Sequence, residues 1–303
     1  MLQEILSEQL ANIINYKIAL STLSEIRLRA NKPIVVFVKG QPYYISDKGL
    51  CCDLNSAMFC TQEMIADIVY KASDYSIYSV NEQIKNGYIT MSNGVRIGLC
   101  GNVVEENGQV KTITNWTSIN IRIPHQIKNM SLCAFDDIVD ETGIKNCLIV
   151  SPPGAGKTTF LRDFLFQLSE HNYCLNVSVV DERGEIAGGI DSKLDLGNFC
   201  DIVSFCSKQI GFMQCIRSMN PGLIVTDEIG DKEDAKCLID AMNCGVKVMA
   251  TAHASSIEEL RSKDFFVNLP SQYFQRYVFL SKREGPGTYE GTYNEKFAKI
   301  VKW

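Results

Sequence analysis

Apolar positions in the first third of the chain follow two spacings. Leu2, Ile5, Leu6, Leu10, Ile13 and Ile14 recur on one helical face, so residues 2–20 read as a helix packed on its own domain. Its polar face is not basic, which separates it from a membrane-surface helix. Ser24-Glu25-Ile26-Arg27-Leu28-Arg29 then alternates as a strand does, and strands follow at residues 34–38 and 43–45. Lys39-Gly40-Gln41-Pro42 is the turn between those two. Residues 61–72 read as a helix, with a Thr61 cap and Glu63 in its first turn, and a second helix covers roughly 77–86. Strands at 88–91 and 95–101 flank the hairpin signal Ser92-Asn93-Gly94. The turn Glu106-Asn107-Gly108 leads into a strand at 110–113, and a last strand at 119–123 is broken by Pro124. Nothing in this part repeats.

After residue 124 strands alternate with helices, the pattern of a parallel α/β sheet. The expected organisation is an α+β domain over 1–124 and a larger α/β domain over 125–303, joined by Pro124-His125-Gln126.

The second domain carries the chemistry. Cys147-Leu148-Ile149-Val150 is short and apolar enough for a buried strand, while Phe160, Leu161, Phe164, Leu165 and Leu168 recur at helical spacing. Between them lies Ser151-Pro152-Pro153-Gly154-Ala155-Gly156-Lys157-Thr158-Thr159. A loop joining a strand to a helix N-terminus points backbone N–H groups at one spot, and the helix dipole favours negative charge there. Lys157 is expected against the β- and γ-phosphates of ATP, and the Thr158 hydroxyl on Mg²⁺. Ser151 stands where the strict pattern has glycine, but that position only starts the loop.

Two later strands end in acid. Leu223-Ile224-Val225-Thr226 runs into Asp227-Glu228, as a Walker B strand does; Asp227 is expected to hold Mg²⁺ and Glu228 to polarise the attacking water. Val177-Ser178-Val179-Val180 runs into Asp181-Glu182-Arg183-Gly184-Glu185, a stretch that a solvated loop would also explain. Residues 231–243 read as a helix that Gly245 stops. The strand Val246-Lys247-Val248-Met249-Ala250-Thr251 then ends at Ala252-His253. A histidine there can hydrogen-bond a γ-phosphate or its water, or be purely structural.

Composition narrows the setting. The 303 residues are 46% hydrophobic and 21% charged, ordinary for a globular protein with a full core, and a net charge of -5 gives no support for broad nucleic-acid binding. The twelve cysteines are scattered without any C-x-x-C pair, which argues against a zinc ribbon and fits a reducing cytosol. The apolar runs are too short to cross a bilayer, and Glu4 and Glu8 do not suit a signal peptide. A cytosolic protein is expected, one still able to dock on a membrane protein.

The ordered set of phosphate loop, acidic strand end, Asp-Glu strand and Ala-Thr-Ala-His resembles the ATPases of type II and type IV secretion and pilus assembly. The resemblance is closer to the stage III sporulation protein AA family. It is carried by Gly94-Val95-Arg96-Ile97-Gly98-Leu99-Cys100-Gly101, Val180-Asp181-Glu182-Arg183, Ile216-Arg217-Ser218-Met219-Asn220-Pro221 and Gly285-Pro286-Gly287-Thr288. Ser151 and Gly222 depart from the usual pattern without touching the chemistry.

This resemblance implies a RecA-like P-loop NTPase core behind the α+β N-terminal domain, and a homo-hexameric ring. It implies that Arg96 and Arg122, which alone would read as surface charges, reach the phosphates. It also implies a place on the mother-cell face of the membrane around a developing endospore. There the protein would serve a secretion-like apparatus through the cytosolic part of an integral membrane protein.

Other readings stay open at this point. Gln214-Cys215-Ile216-Arg217-Ser218-Met219 is not the signature an ABC-type subunit needs before Walker B. A helicase-like or RecA-like nucleic-acid motor shares the core but favours a basic channel. A nucleotide-gated scaffold that does not hydrolyse ATP can dispense with a residue such as Glu228.

Overall fold

Ile26 and Leu28 are buried while Arg29 on the alternate side is exposed, so the alternation read at 24–29 is a strand, Leu23–Arg29. In the computed structural model, which describes residues 2–189, 191–192, 194–267, 269 and 273–301, it runs through one of two compact units. The first unit is Met1–His125 with Gly188–Lys193; the second is Gln126–Ala187 with Leu194–Trp303.

The first unit is built on a seven-stranded antiparallel sheet. Its order is Gly49–Cys51, Gln41–Ser46, Val35–Val38, Leu23–Arg29, Gln109–Arg122, Arg96–Glu106, Tyr88–Thr90. One face meets the helices Glu8–Lys17, Gln62–Ala72 and Asn81–Lys85, and Ile14, Ile26, Ile65, Ile84, Ile97 and Ile121 belong to a single core there.

The N-terminal helix is shorter than the 2–20 pattern predicts. The Ser7 side chain accepts a hydrogen bond from the Leu10 N–H, so the α-helix begins at Glu8, preceded by a 3-10 turn over Leu2–Glu4. Caps of this kind contribute about 0.5–2 kcal/mol, enough to set a helix start. The Thr61 cap of Gln62–Ala72 is where the sequence places it.

Two hairpins are longer than read. Val38 pairs with Gln41, leaving Lys39-Gly40 as the turn and drawing Gln41 and Pro42 into the strand. The segments at 110–113 and 119–123 are one strand, Gln109–Arg122. Asn107 and Gly108, at φ 54° and 75°, turn it back from Arg96–Glu106. Both residues must take positive φ in such a turn, which is why Asn-Gly signals it.

The second unit holds a seven-stranded sheet ordered Cys200–Ser204, Val177–Asp181, Leu223–Glu228, Lys247–His253, Cys147–Ser151, Arg276–Ser281, Thr288–Asn294. All neighbours are parallel except the last pair. Successive residues of one strand enter separate cores: Leu148 and Val150 lie in one, Cys147 and Ile149 in the other. Burial on both faces explains why these strands read as continuous apolar runs rather than alternations. Phe160, Phe164 and Leu165 of Lys157–Glu170 fill one core; Phe212, Leu238, Phe265 and Phe266 fill the other. Phe265 and Phe266 are only 4% and 8% exposed and so are core, whereas Val267 is 69% exposed.

Parallel strands put their carboxyl ends on one edge. Ser151 is level with His253, Glu228 with Thr251, and Val180 with Thr226. Sites in open α/β sheets form outside that edge.

Among the described residues no helix is long and apolar enough to cross a membrane.

Candidate functional site

The turn after Cys147–Ser151 needs two left-handed residues, Gly154 at φ 68° and Gly156 at φ 93°. A Cβ on Gly156 would lie 2.9 Å from the Met130 methyl carbon, which can shift, so it is the left-handed backbone that favours glycine at position 156. Gly156 also caps the helix Lys157–Glu170, whose first N–H groups and dipole make an anion site.

The loop is braced from the C-terminal side. Gly287 N–H donates to the Ala155 carbonyl at 3.0 Å, which gives the Gly285-Pro286-Gly287-Thr288 segment a physical role. The buried Ser151 donates its hydroxyl to the Pro152 carbonyl at 2.9 Å and so satisfies itself within the loop. Pro153 and Gly154 are exposed at the loop crest, while Thr158 and Thr159 are half-buried in the first helical turn.

Lys157 is buried and reaches across the strand ends. Its ammonium donates to Nδ1 of His253 at 2.6 Å, and Nε2 of His253 lies 2.8 Å from Glu228. An ammonium has no lone pair, so Nδ1 accepts and Nε2 carries the hydrogen toward the carboxylate. Lys157 of the glycine-rich loop, His253 and Glu228 thus form one chain across the strand ends. Burial pulls the Lys157 pKa down to about 8, against the pull of Glu228 and with the help of Lys282.

A register shift between Val225 and Glu228 re-aims the end of the Walker B strand. Asp227 then sits 3.3 Å from the Lys208 ammonium, which also contacts Glu182 at 2.9 Å and Asp234 at 3.4 Å. Opposite unit charges about 4 Å apart attract by on the order of 4 kcal/mol at an effective dielectric near 20. Burial lowers the Lys208 pKa, but Asp227, Glu182 and Asp234 outweigh it and hold the ammonium above its usual range. Burial raises Asp227 to about 6, Lys208 opposes that, and the Asp181 and Glu182 carboxylates add to it.

The two acids of the earlier strand end divide their work. Asp181 is buried and accepts from the N–H groups of Glu185, Ile186 and Ala187 at 2.7–3.0 Å, so it clamps the following loop. Glu182 turns its carboxylate to Lys208.

A hard divalent ion fits this donor set. Asp227 offers a buried carboxylate whose charge favours a cation, and Thr158 offers a hydroxyl at the helix start; phosphate oxygens and water would complete the shell. Among the described residues no three His, Cys, Asp or Glu side chains are arranged to hold a metal by themselves.

Ser151 to Thr159, Glu182, Asp227, Glu228 and His253 all lie in the second unit. Arg96 and Arg122 lie in the first, directly opposite each other on paired strands. Arg96 stacks on the Tyr88 ring at 4.4 Å, and Arg122 is exposed. Like charges in that register are unfavourable unless an anion meets them; Glu25 opposes Arg122 on its other side.

Sequence reasoning missed Lys208, Asp234 and Lys282. The Lys282 ammonium lies 3.2 Å from the point a Cβ on Gly154 would occupy. Lys208 opens a helix just after Ser207, where a lysine reads as solvated. One signal was available: Gly211 in the same helix, where a Cβ would fall 2.6 Å from Val180 Cγ1. Such a glycine marks a helix drawn tightly onto a strand.

Comparison with known proteins agrees with this geometry. The family described as "Sporulation stage III, protein AA" matches residues 1–300. The chain is 36% identical over 280 residues to stage III sporulation protein AA of Bacillus subtilis (strain 168), covering 90% of this chain and 87% of that protein. Among solved structures it is similar to the Legionella pneumophila ATPase DotB, with TM-score 0.56 and 14% identity over 89% of this chain and 74% of that one. It is also similar to the pilus retraction motor PilT with bound ADP, with TM-score 0.59 and 14% identity over 89% of this chain and 76% of the other. At such identities the likeness shows the fold: an α/β chain with a RecA-like P-loop core.

Proposed function

The chain belongs to the sporulation stage III protein AA family, and from that premise we propose that it hydrolyses ATP as a motor for a secretion-like apparatus of endospore formation. The observation that carries this reading is the chain Lys157–His253–Glu228 beside Asp227 at one sheet edge. A scaffold that only bound nucleotide would not need a carboxylate held there.

In this reading Lys157 binds the β- and γ-phosphates, and Thr158 and Asp227 hold Mg²⁺. When bound, the ion neutralises phosphate charge. Glu228 accepts a proton from the attacking water, and His253 links that base to the lysine on the phosphate. Glu182 is kept beside Asp227 by Lys208. Arg96 and Arg122 bring positive charge to the phosphates in a homo-hexameric ring.

The protein works in the mother-cell cytoplasm and reaches the membrane through the cytosolic part of an integral membrane protein. Nucleic acid is not its track, in keeping with the net charge of -5. Fractionating sporulating cells tests the recruitment. The chain should pellet with membranes and be released by high salt or by deletion of the partner. Recovery as a salt-sensitive complex with DNA would favour a nucleic-acid motor instead.

A further inference from the structure

Alternate residues of Leu23–Arg29 face opposite ways. Ile26 and Leu28 enter the core of the first unit, so Arg27 and Arg29 turn to the other face of its sheet. Strand register then sets Arg27, Asn120 and Gly98 side by side across three strands, with Arg29, Ser118 and Cys100 in the next row. Together they line a groove of about 350 Å³, within the size range of small-molecule sites. Gly98 opens its floor by supplying no side chain; a Cβ there would meet only Asn120, at 3.9 Å.

Arg27 is fixed by its neighbours. Its Nε and Nη2 each lie 2.9 Å from Glu25, and its guanidinium lies 5.2 Å from the centre of the Phe37 ring. Arg29 is exposed and, among the described residues, makes no ion pair. The buried Oδ1 of Asn120 finds no hydrogen-bond partner among the described residues, a costly state for a buried carbonyl. Arg96 and Arg122 continue the same face, so four arginines stand there with Glu25 among them.

We propose that this groove binds a small molecule bearing a carboxylate or phosphate group, which Arg27 and Arg29 grip while Asn120 answers the atoms beside it. Guanidinium forks match both kinds of oxyanion, and an asparagine amide can offer a ligand a donor or an acceptor. At Arg27, Asn120 and Gly98 the strands are paired on both sides, so an added peptide strand would find no free main-chain groups. Recognition falls to side chains, which suits a small anion. The groove lies wholly in the first unit, whereas the glycine-rich loop, Asp227 and Glu228 lie in the second, so the proposal does not rest on the ATPase reading.

The test is isothermal titration calorimetry of the whole chain with inorganic phosphate and, separately, with succinate. Lys157→Ala is titrated beside wild type, which tells phosphate held by the glycine-rich loop from phosphate in the groove. At least one of the two anions should bind both chains, at one groove-bound ion per chain. Tighter phosphate marks a phosphorylated ligand, and tighter succinate a carboxylated one. Arg29→Ala should weaken this binding by at least about tenfold, as the loss of a charge-assisted hydrogen bond implies. Gly98→Val removes no charge and should weaken it as much, by filling the groove at a strand position that suits valine.

Failure of both anions to bind at up to about 10 mM would overturn the proposal. Binding that disappears in Lys157→Ala would place the anion at the glycine-rich loop and overturn it too. Undiminished binding in Arg29→Ala, whose exposed site leaves the fold intact, would do the same even if Gly98→Val did not fold. A folded Gly98→Val with wild-type affinity would reduce the groove to a basic surface and sink the proposal.

Discussion

Arg122→Ala is expected to lower ATP turnover by roughly 10³–10⁵-fold, the range that arginine fingers contribute in other P-loop enzymes. The fold should survive the change. Arg122 is exposed at the end of Gln109–Arg122, and its removal relieves the like-charge register with Arg96. Thermal unfolding should therefore stay within a degree or two of wild type, on the order of the half kcal/mol typical of surface changes. Sedimentation with ATP should match that of the wild type, because the arginine is proposed to act on phosphate charge and not on assembly. An unfolded Arg122→Ala chain would make the residue structural. A folded variant with wild-type turnover would remove it from the site.

Glu228→Gln should lose roughly 10²–10⁴-fold in turnover, the contribution of a positioned general base. Nucleotide affinity should hardly change. The amide oxygen of glutamine can still accept from Nε2 of His253, so the contact at 2.8 Å survives in form while the base is gone. Separate measurements of binding and single-turnover phosphate release distinguish the two effects. Wild-type hydrolysis in this variant would move the base to Glu182, whose carboxylate is at present committed to Lys208 at 2.9 Å.

What could be read from the sequence was whatever lies along one stretch of chain. The phosphate loop, the Asp227-Glu228 strand end and the strand closing on His253 are each a short apolar run followed by polar residues, and a buried parallel strand has no other way to be written. The hairpin at Ser92-Asn93-Gly94 was legible because Gly94, at φ 82°, occupies a left-handed turn position that favours glycine.

The rest depends on meetings between distant segments. Lys208 becomes a buried cation only when three elements bring their acids to it. Gly287 supports the loop from a segment far along the chain; Gly285-Pro286-Gly287-Thr288 stands out in the sequence as part of a resemblance, but its contact with Ala155 does not. Cys200–Ser204 escapes notice as a strand because it lies at the sheet edge, with Asp201 and Ile202 exposed, so no buried run announces it. The helix read from residue 2 overran at its start because the apolar spacing runs on either side of Ser7, whose capping bond begins the α-helix only at Glu8.

The central claim, that this chain is an ATP hydrolase, is met most directly by phosphate release from ATP and Mg²⁺ by the purified protein, compared with Lys157→Ala. Lys157 is the group opposite the β- and γ-phosphates in the proposed site, so its loss should remove nucleotide binding and turnover together. The account predicts sustained phosphate release from the wild-type chain and none above background from Lys157→Ala. Equal release from both, or ATP bound by wild type without any turnover in its assembled form, would contradict it.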